Sequence, residues 1–169
     1  MKALLIIAPQ NFRDEELFHT KEELERAGVE VVIASAKRGK IKGMLGGTAE
    51  AELPLKEVDV RKYDAIVFIG GVGASAYYED PVAHRIAREA SETGKVVAAI
   101  CIAPGILAKA GVLKGKKATI WDGDFVRILE TGGAKYTGAS VEVDGKIITA
   151  NGPAAARKFG QAIAKALGR

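Results

Sequence analysis

The sequence predicts an α/β protein built on a doubly wound, mostly parallel sheet with helices on both faces. Three observations lead there. VVAAI (96–100), YDAIVFI (63–69) and ALLIIA (3–8) are apolar along nearly their whole length, the pattern of strands covered on two sides. Segments of helical period separate them, as crossovers between parallel strands require. Glycines at 28, 94 and 111 close those segments, so the alternation is punctuated as well as periodic.

In chain order, residues 2–8 form the first strand, short, apolar and partly β-branched. Residues 14–27 form a helix, with acids in the first turn, Arg26 in the last and Gly28 as the stop. VEVVIA (29–34) is the next strand, and the glycine-rich stretch 40–52 suits a hairpin around Gly46 and Gly47. The strand 63–69 ends at Gly70 and Gly71. Asp80 caps, and Pro81 opens, a helix running to Glu92. Residues 96–100 are a strand, 102–110 a helix, 118–120 a short strand and 124–131 a short helix. Residues 141–150 form a hairpin turning at Asp144 and Gly145, and a helix over 153–167 closes the chain. This arrangement is flavodoxin-like. In such sheets ligands sit at the carboxyl ends of the strands, near the switch in strand order. Function is therefore expected at the turns after Ala8, Ile69, Ile100 and Ile120.

The 169 residues suffice for one domain with its own core, and no linker, repeat or low-complexity tract divides them. A mean hydropathy of +0.07 argues against a disordered chain. No apolar run reaches the ~18 residues of a membrane span, so no membrane association is expected. The opening MKALLIIAPQ is too short for a signal peptide and is followed by charged NFRDEEL. A single cysteine makes no internal disulfide and fits a reducing cytoplasm. The net charge of +4 is spread among interspersed acids and bases. LKGKK (113–117), the densest basic stretch, has no interleaved aromatics, so no nucleic-acid partner is expected. Four Asn and Gln against 46 charged residues lean toward a heat-adapted composition.

Common chemistries of this fold fail on their residues. The first turn, APQNFRDEE, has no glycine to bring backbone amides onto a pyrophosphate. GVGASA (71–76) has Ala76 where G-x-G-x-x-G needs its third glycine, and no P-loop is present. No nucleotide cofactor is expected. His19 and His84 are far apart, with no second Cys to join them, so no metal site is expected.

The turn at Cys101 is different. Its frame, Ala99-Ile100-Cys101-Ile102-Ala103, has the small-x-nucleophile-x-small spacing that a tight strand-to-helix elbow demands. Backbone N–H groups and the helix dipole there favour a thiolate and predict a lowered thiol pKa. The amides of Ile102 and Gly71, with Gly70 beside them, suit an oxyanion. An isolated Cys after an apolar strand is also common in cores, and that reading competes. A proton partner is sought in the acidic turn Asp14-Glu15-Glu16. The inward stripe 16, 20, 24 and 27 selects Glu16, which can share a proton with the sulfur if burial raises its pKa.

These blocks resemble the ThiJ/PfpI superfamily over nearly the whole chain. FRDEEL is similar to its acidic turn, YDAIVFIGG to its glycine-paired strand, GKVVAAICIAPGILAKAGVLKGKKAT to its nucleophile elbow, and DGKIITANGPAAARKFGQAIAKAL to its last hairpin and helix. The resemblance implies a flavodoxin-like fold and a homodimer or larger assembly, up to a hexamer. It implies a nucleophile at Cys101, a proton-sharing acid at Glu16 and an oxyanion pocket at Gly71 and Ile102. PfpI-type peptidases carry His directly after the nucleophile, where this chain has Ile102. Deglycase and glyoxalase members lack that His, but many place one after the next strand, where this chain has Trp121. Trp121 is expected to wall the pocket, pack a partner subunit or pack in the core, and His19, one helical turn beyond Glu16, is the alternative proton partner.

The leading expectation is a cofactor-free enzyme in which Cys101 attacks a small 2-oxoaldehyde or an early glycation adduct. The alternatives are a redox-sensing stress protein or chaperone acting through oxidation of Cys101, an intracellular cysteine peptidase, and a silent scaffold.

Overall fold

Because the apolar runs carry no polar alternation, they can only be buried on both sides, and they form the middle of one sheet. The computed structural model describes residues 1–169. The chain opens with β1 (Lys2–Ile6), α1 (Asp14–Arg26) and β2 (Glu30–Ser35), then a hairpin of β3 (Gly39–Lys42) and β4 (Thr48–Ala51), and the short β5 (Leu53–Pro54). β6 (Ala65–Phe68), α2 (Pro81–Glu92), β7 (Val96–Ile100) and α3 (Pro104–Lys109) follow. The last third holds β8 (Lys117–Ala118), α4 (Phe125–Thr131), β9 (Lys135–Tyr136), β10 (Val141–Asp144), β11 (Ile147–Ala150) and α5 (Ala156–Ala166).

The seven-stranded sheet has the order β10-β11-β7-β6-β1-β2-β5. Only the β10–β11 pair is antiparallel. Alternate residues of each strand feed two cores, as the period of two dictates. Ala3, Leu5 and Ile7 face Leu17 and Leu24 of α1 and Phe159 and Ile163 of α5. Leu4 and Ile6 face Ile86 of α2, Ile106 of α3 and Leu129 of α4. The chain runs from β1 to β2 on one side and returns to β6 on the other, so strand order reverses beside β1. No helix is long and apolar enough to cross a membrane.

Several expected boundaries shift for local reasons. The first strand stops at Ile6, because the Ser35 hydroxyl takes the carbonyls of Ile7 and Ala8 (2.8 and 3.1 Å) and the Tyr77 hydroxyl adds a bond to Ile7. The helix expected from residue 102 begins at Pro104 and spans only six residues. Cys101, Ile102 and Ala103 instead form a turn closed by Ala103 N–H on the Ile100 carbonyl, 3.0 Å. The helix α2 begins as read, with the Asp80 carboxylate accepting from Val82 N–H at 2.9 Å.

The helix α1 is locked to α5. Gly160 lets the two approach so closely that a Cβ there would lie 2.8 Å from the Cβ of Glu23. Glu23 then receives Arg157 (2.8 Å) and Gln161 (3.1 Å) from α5 and Arg26 (2.8 Å) from its own helix. This clamp fixes the helix that carries Glu16. Asp14, at the start of α1, latches the β3–β4 hairpin by accepting from Leu45 N–H (2.8 Å) and Gly47 N–H (2.7 Å). Bonds to a charged acceptor contribute about 1.5–3 kcal/mol each. Asp14→Ala is therefore expected to cost about 3–6 kcal/mol and to remove amide-exchange protection at Leu45 and Gly47. Unchanged protection at both amides would contradict the latch.

Candidate active site

Three strand ends converge next to the reversal in strand order: the turn after β1, Gly70 and Gly71 after β6, and Cys101 after β7. Cys101 has φ +66°, in the left-handed region that a non-glycine residue enters only under constraint. The constraint is visible. Its N–H donates to the Ala150 carbonyl and its carbonyl accepts from Trp121 N–H, both 2.9 Å. The small flanking residues anticipated for such a turn, Ala99 and Ala103, are fully buried.

Gly70 is required by crowding, since a Cβ there would lie 2.6 Å from both the Cβ of Cys101 and the Ile100 carbonyl, and would strike the Glu16 carboxyl. Gly71, at φ +110°, turns its N–H toward the Cys101 sulfur, and Ile102 N–H joins it. These are the two amides expected at an oxyanion position. They belong to turns, and the short α3 makes the anticipated helix-dipole contribution minor.

Glu16 is fully buried behind the sulfur, and neither of its carboxyl oxygens has a hydrogen bond of good geometry. A carboxylate in that position would be a buried charge without compensation, so the protonated form is favoured. Burial holds Glu16 far above the usual carboxylate range, at about 8, against smaller pulls from the Cys101 thiol, the Arg13 charge and the Gly70 N–H.

The expected lowering of the thiol pKa is corrected. Burial first, and a negative Glu16 second, push Cys101 up to about 12, while the Gly71 and Ile102 amides pull it down. Cys101 is only 8% exposed, so the desolvation that amides alone were expected to outweigh is large. The pair is best described as one acid holding two protons. The first proton leaves near 8 and the second far higher, because the first leaves a negative charge behind. That first proton leaves Glu16, and passing the remaining one from sulfur to the carboxylate gives a minor tautomer in which a protonated Glu16 donates to a thiolate.

The Cys101 pocket opens over this pair with a volume of about 280 Å³. Gly71, Cys101, Ile102 and Trp121 line it together. Trp121 is 47% exposed, which places it on the pocket wall and not in the core. His19 does not reach this pocket. It lies three residues beyond Glu16 and lines an adjoining hollow with Glu15 and Arg157, on the other side of Trp121 and Pro153, which border both. His84 is half-buried, with Nε2 against the Tyr78 carbonyl at 2.7 Å.

Sequence reasoning missed several wall residues. Arg13 directly precedes the acidic triplet and was legible there as a nearby cation; its guanidinium is held by Glu15 at 2.8 and 3.1 Å. Met44 arrives from the β3–β4 hairpin and accepts Val72 N–H on its sulfur at 3.5 Å. Phe125 comes from α4, edge-on to Tyr78 with centroids 6.5 Å apart. No three His, Cys, Asp or Glu side chains gather in a metal-binding group.

A doubly wound sheet with a constrained cysteine at a strand end, backed by a buried acid, defines a class of flavodoxin-like α/β proteins. A model of the DJ-1/PfpI family matches residues 1–166, and the chain belongs to that family. An uncharacterized protein of Methanocaldococcus jannaschii is 40% identical over 98% of this chain and 82% of its own. A deglycase of Thermococcus kodakarensis is 38% identical over 89% of this chain and 90% of its own. The crystal structure of a ThiJ/PfpI domain protein from Brachyspira murdochii superposes with a TM-score of 0.96 at 33% identity, covering 99% of this chain and 96% of that one.

Proposed function

We propose that this protein is a cysteine-dependent, cofactor-free enzyme that converts 2-oxoaldehydes to 2-hydroxy acids. The observation that carries the reading is the fully buried Glu16, without a hydrogen-bond partner, next to Cys101. The deglycase name of the Thermococcus relative supports carbonyl chemistry of this kind.

The minor tautomer of the singly ionised pair, thiolate beside protonated Glu16, starts the reaction. The Cys101 thiolate adds to the aldehyde carbon, and the Gly71 and Ile102 amides hold the resulting oxyanion. Glu16 gives that oxygen its proton, forming a neutral hemithioacetal. As carboxylate, Glu16 then removes the hydrogen from the aldehyde carbon and returns it to the neighbouring carbon, while the hydroxyl proton passes between the two oxygens. The product is a thioester in which one carbon has been oxidised and its neighbour reduced, so no external oxidant is needed. Water, deprotonated by Glu16, cleaves the thioester, releases the 2-hydroxy acid and restores the thiolate and the protonated carboxyl.

No histidine lines the Cys101 pocket, which speaks against a Cys-His peptidase. Redox sensing draws on the same pair, since a protonated Glu16 can donate to an oxidised sulfur. The proposal includes a homo-oligomer, supported by exposed Phe18 and Leu45 where α1 meets the β3–β4 hairpin. The direct test is lactate formation from methylglyoxal by purified protein without glutathione or metal. Absence of lactate, with sulfinate accumulating on Cys101 under mild peroxide, would favour the redox reading instead.

A further inference from the structure

Resting on that reading, we infer that the Cys101 pocket selects 2-oxoaldehydes bearing a flat apolar substituent, of the aryl glyoxal class, and that Trp121 sets this selectivity. A volume of about 280 Å³ corresponds to about nine waters at ~30 Å³ each, far more than a three-carbon aldehyde fills.

Two aromatic side chains wall this space, and both are held in place. The Trp121 ring lies against Gly152, where a Cβ would sit 2.8 Å from it, and its backbone N–H is tied to the Cys101 carbonyl. Phe125 packs edge-on against Tyr78, whose hydroxyl donates to the Ile102 carbonyl at 2.6 Å. Walls already fixed lose little freedom when a planar group settles against them. Val72 and Met44 complete an apolar rim.

Polar recognition is scarce. Glu15 takes two of the five Arg13 N–H donors, and the Ser75 hydroxyl already donates to the Val72 carbonyl at 3.2 Å. A sugar adduct would bring several hydroxyls into a site with few free partners, and each would lose its water. An aryl group loses nothing comparable and gains burial. Because Trp121 and Cys101 line the same pocket, a substituent resting against Trp121 stays in the space that holds the sulfur.

The experiment compares initial rates on phenylglyoxal and methylglyoxal, read as mandelate and lactate before either reagent modifies arginines. In the wild type kcat/KM for phenylglyoxal is expected to be at least about tenfold higher, with the advantage in KM. Trp121→Ala should collapse the ratio toward unity and Trp121→Phe should keep most of it. A second readout needs no turnover. Trp121 is the only tryptophan, so mandelate added to Cys101→Ser should quench its emission saturably while lactate at equal concentration should not. Equal or reversed preference in an active wild type would overturn the inference and leave the proposed function standing. Inactivity on both aldehydes would sink the proposed function, and the mandelate titration would then decide the pocket's selectivity by itself.

Discussion

Cys101→Ser is expected to reduce lactate formation from methylglyoxal at least about a thousandfold, because the covalent route disappears with the sulfur. The replacement is nearly isosteric and inherits the same φ of +66°, so the turn keeps its backbone bonds to Ala150 and Trp121. Thermal unfolding should shift by no more than a few degrees, which separates loss of chemistry from loss of fold. Equal rates for wild type and variant would mean that the pocket works without its nucleophile, and the mechanism would fall.

Glu16→Gln should separate activity from stability in opposite directions. Turnover should fall about 10²–10⁴-fold, the usual contribution of a positioned acid–base group. Stability should rise, and the sign follows from linkage. The unfolded chain releases this proton near the ordinary 4.5, while the fold keeps it to about 8. Between those values the unfolded state binds fewer protons, so wild-type stability declines as pH rises from about 4.5 to about 8 and levels off above. Glutamine has no such proton to lose. At neutral pH the variant should therefore be more stable by about 3 kcal/mol, and at pH 4 by little. Denaturant titrations at the two pH values check this. A variant that is less stable at pH 7, or a difference independent of pH, would contradict a raised Glu16.

Much of this architecture was legible in the sequence, for reasons that differ by element. VVAAI could be read to the residue because all five side chains are buried and nothing polar competes. The α2 start was legible because its cap, Asp80, and its Pro81 act locally. Glu16 could be picked from three neighbouring acids by the stripe it shares with Thr20 and Leu24, both buried. Glu23 escaped the same reasoning. It is buried although polar, because Arg157 and Gln161, more than a hundred residues away in the chain, cover it.

Distance in sequence also hid Met44, whose place over the pocket depends on the Asp14 latch and on Val72. The direction of the Cys101 shift was misread because amide dipoles are visible in a turn motif, whereas desolvation depends on everything packed around the sulfur. The early end of the first strand has a similar origin, since Ser35 and Tyr77 reach it from other elements.

The most direct measurement of the Cys101–Glu16 pair is the infrared carbonyl band of a protonated carboxylic acid, taken as the difference between wild type and Glu16→Gln across pH. A band present at pH 6, assigned to Glu16 and lost with a midpoint near 8, is the predicted result. A Glu16 already ionised at pH 6, with no such band, would contradict the shared-proton account.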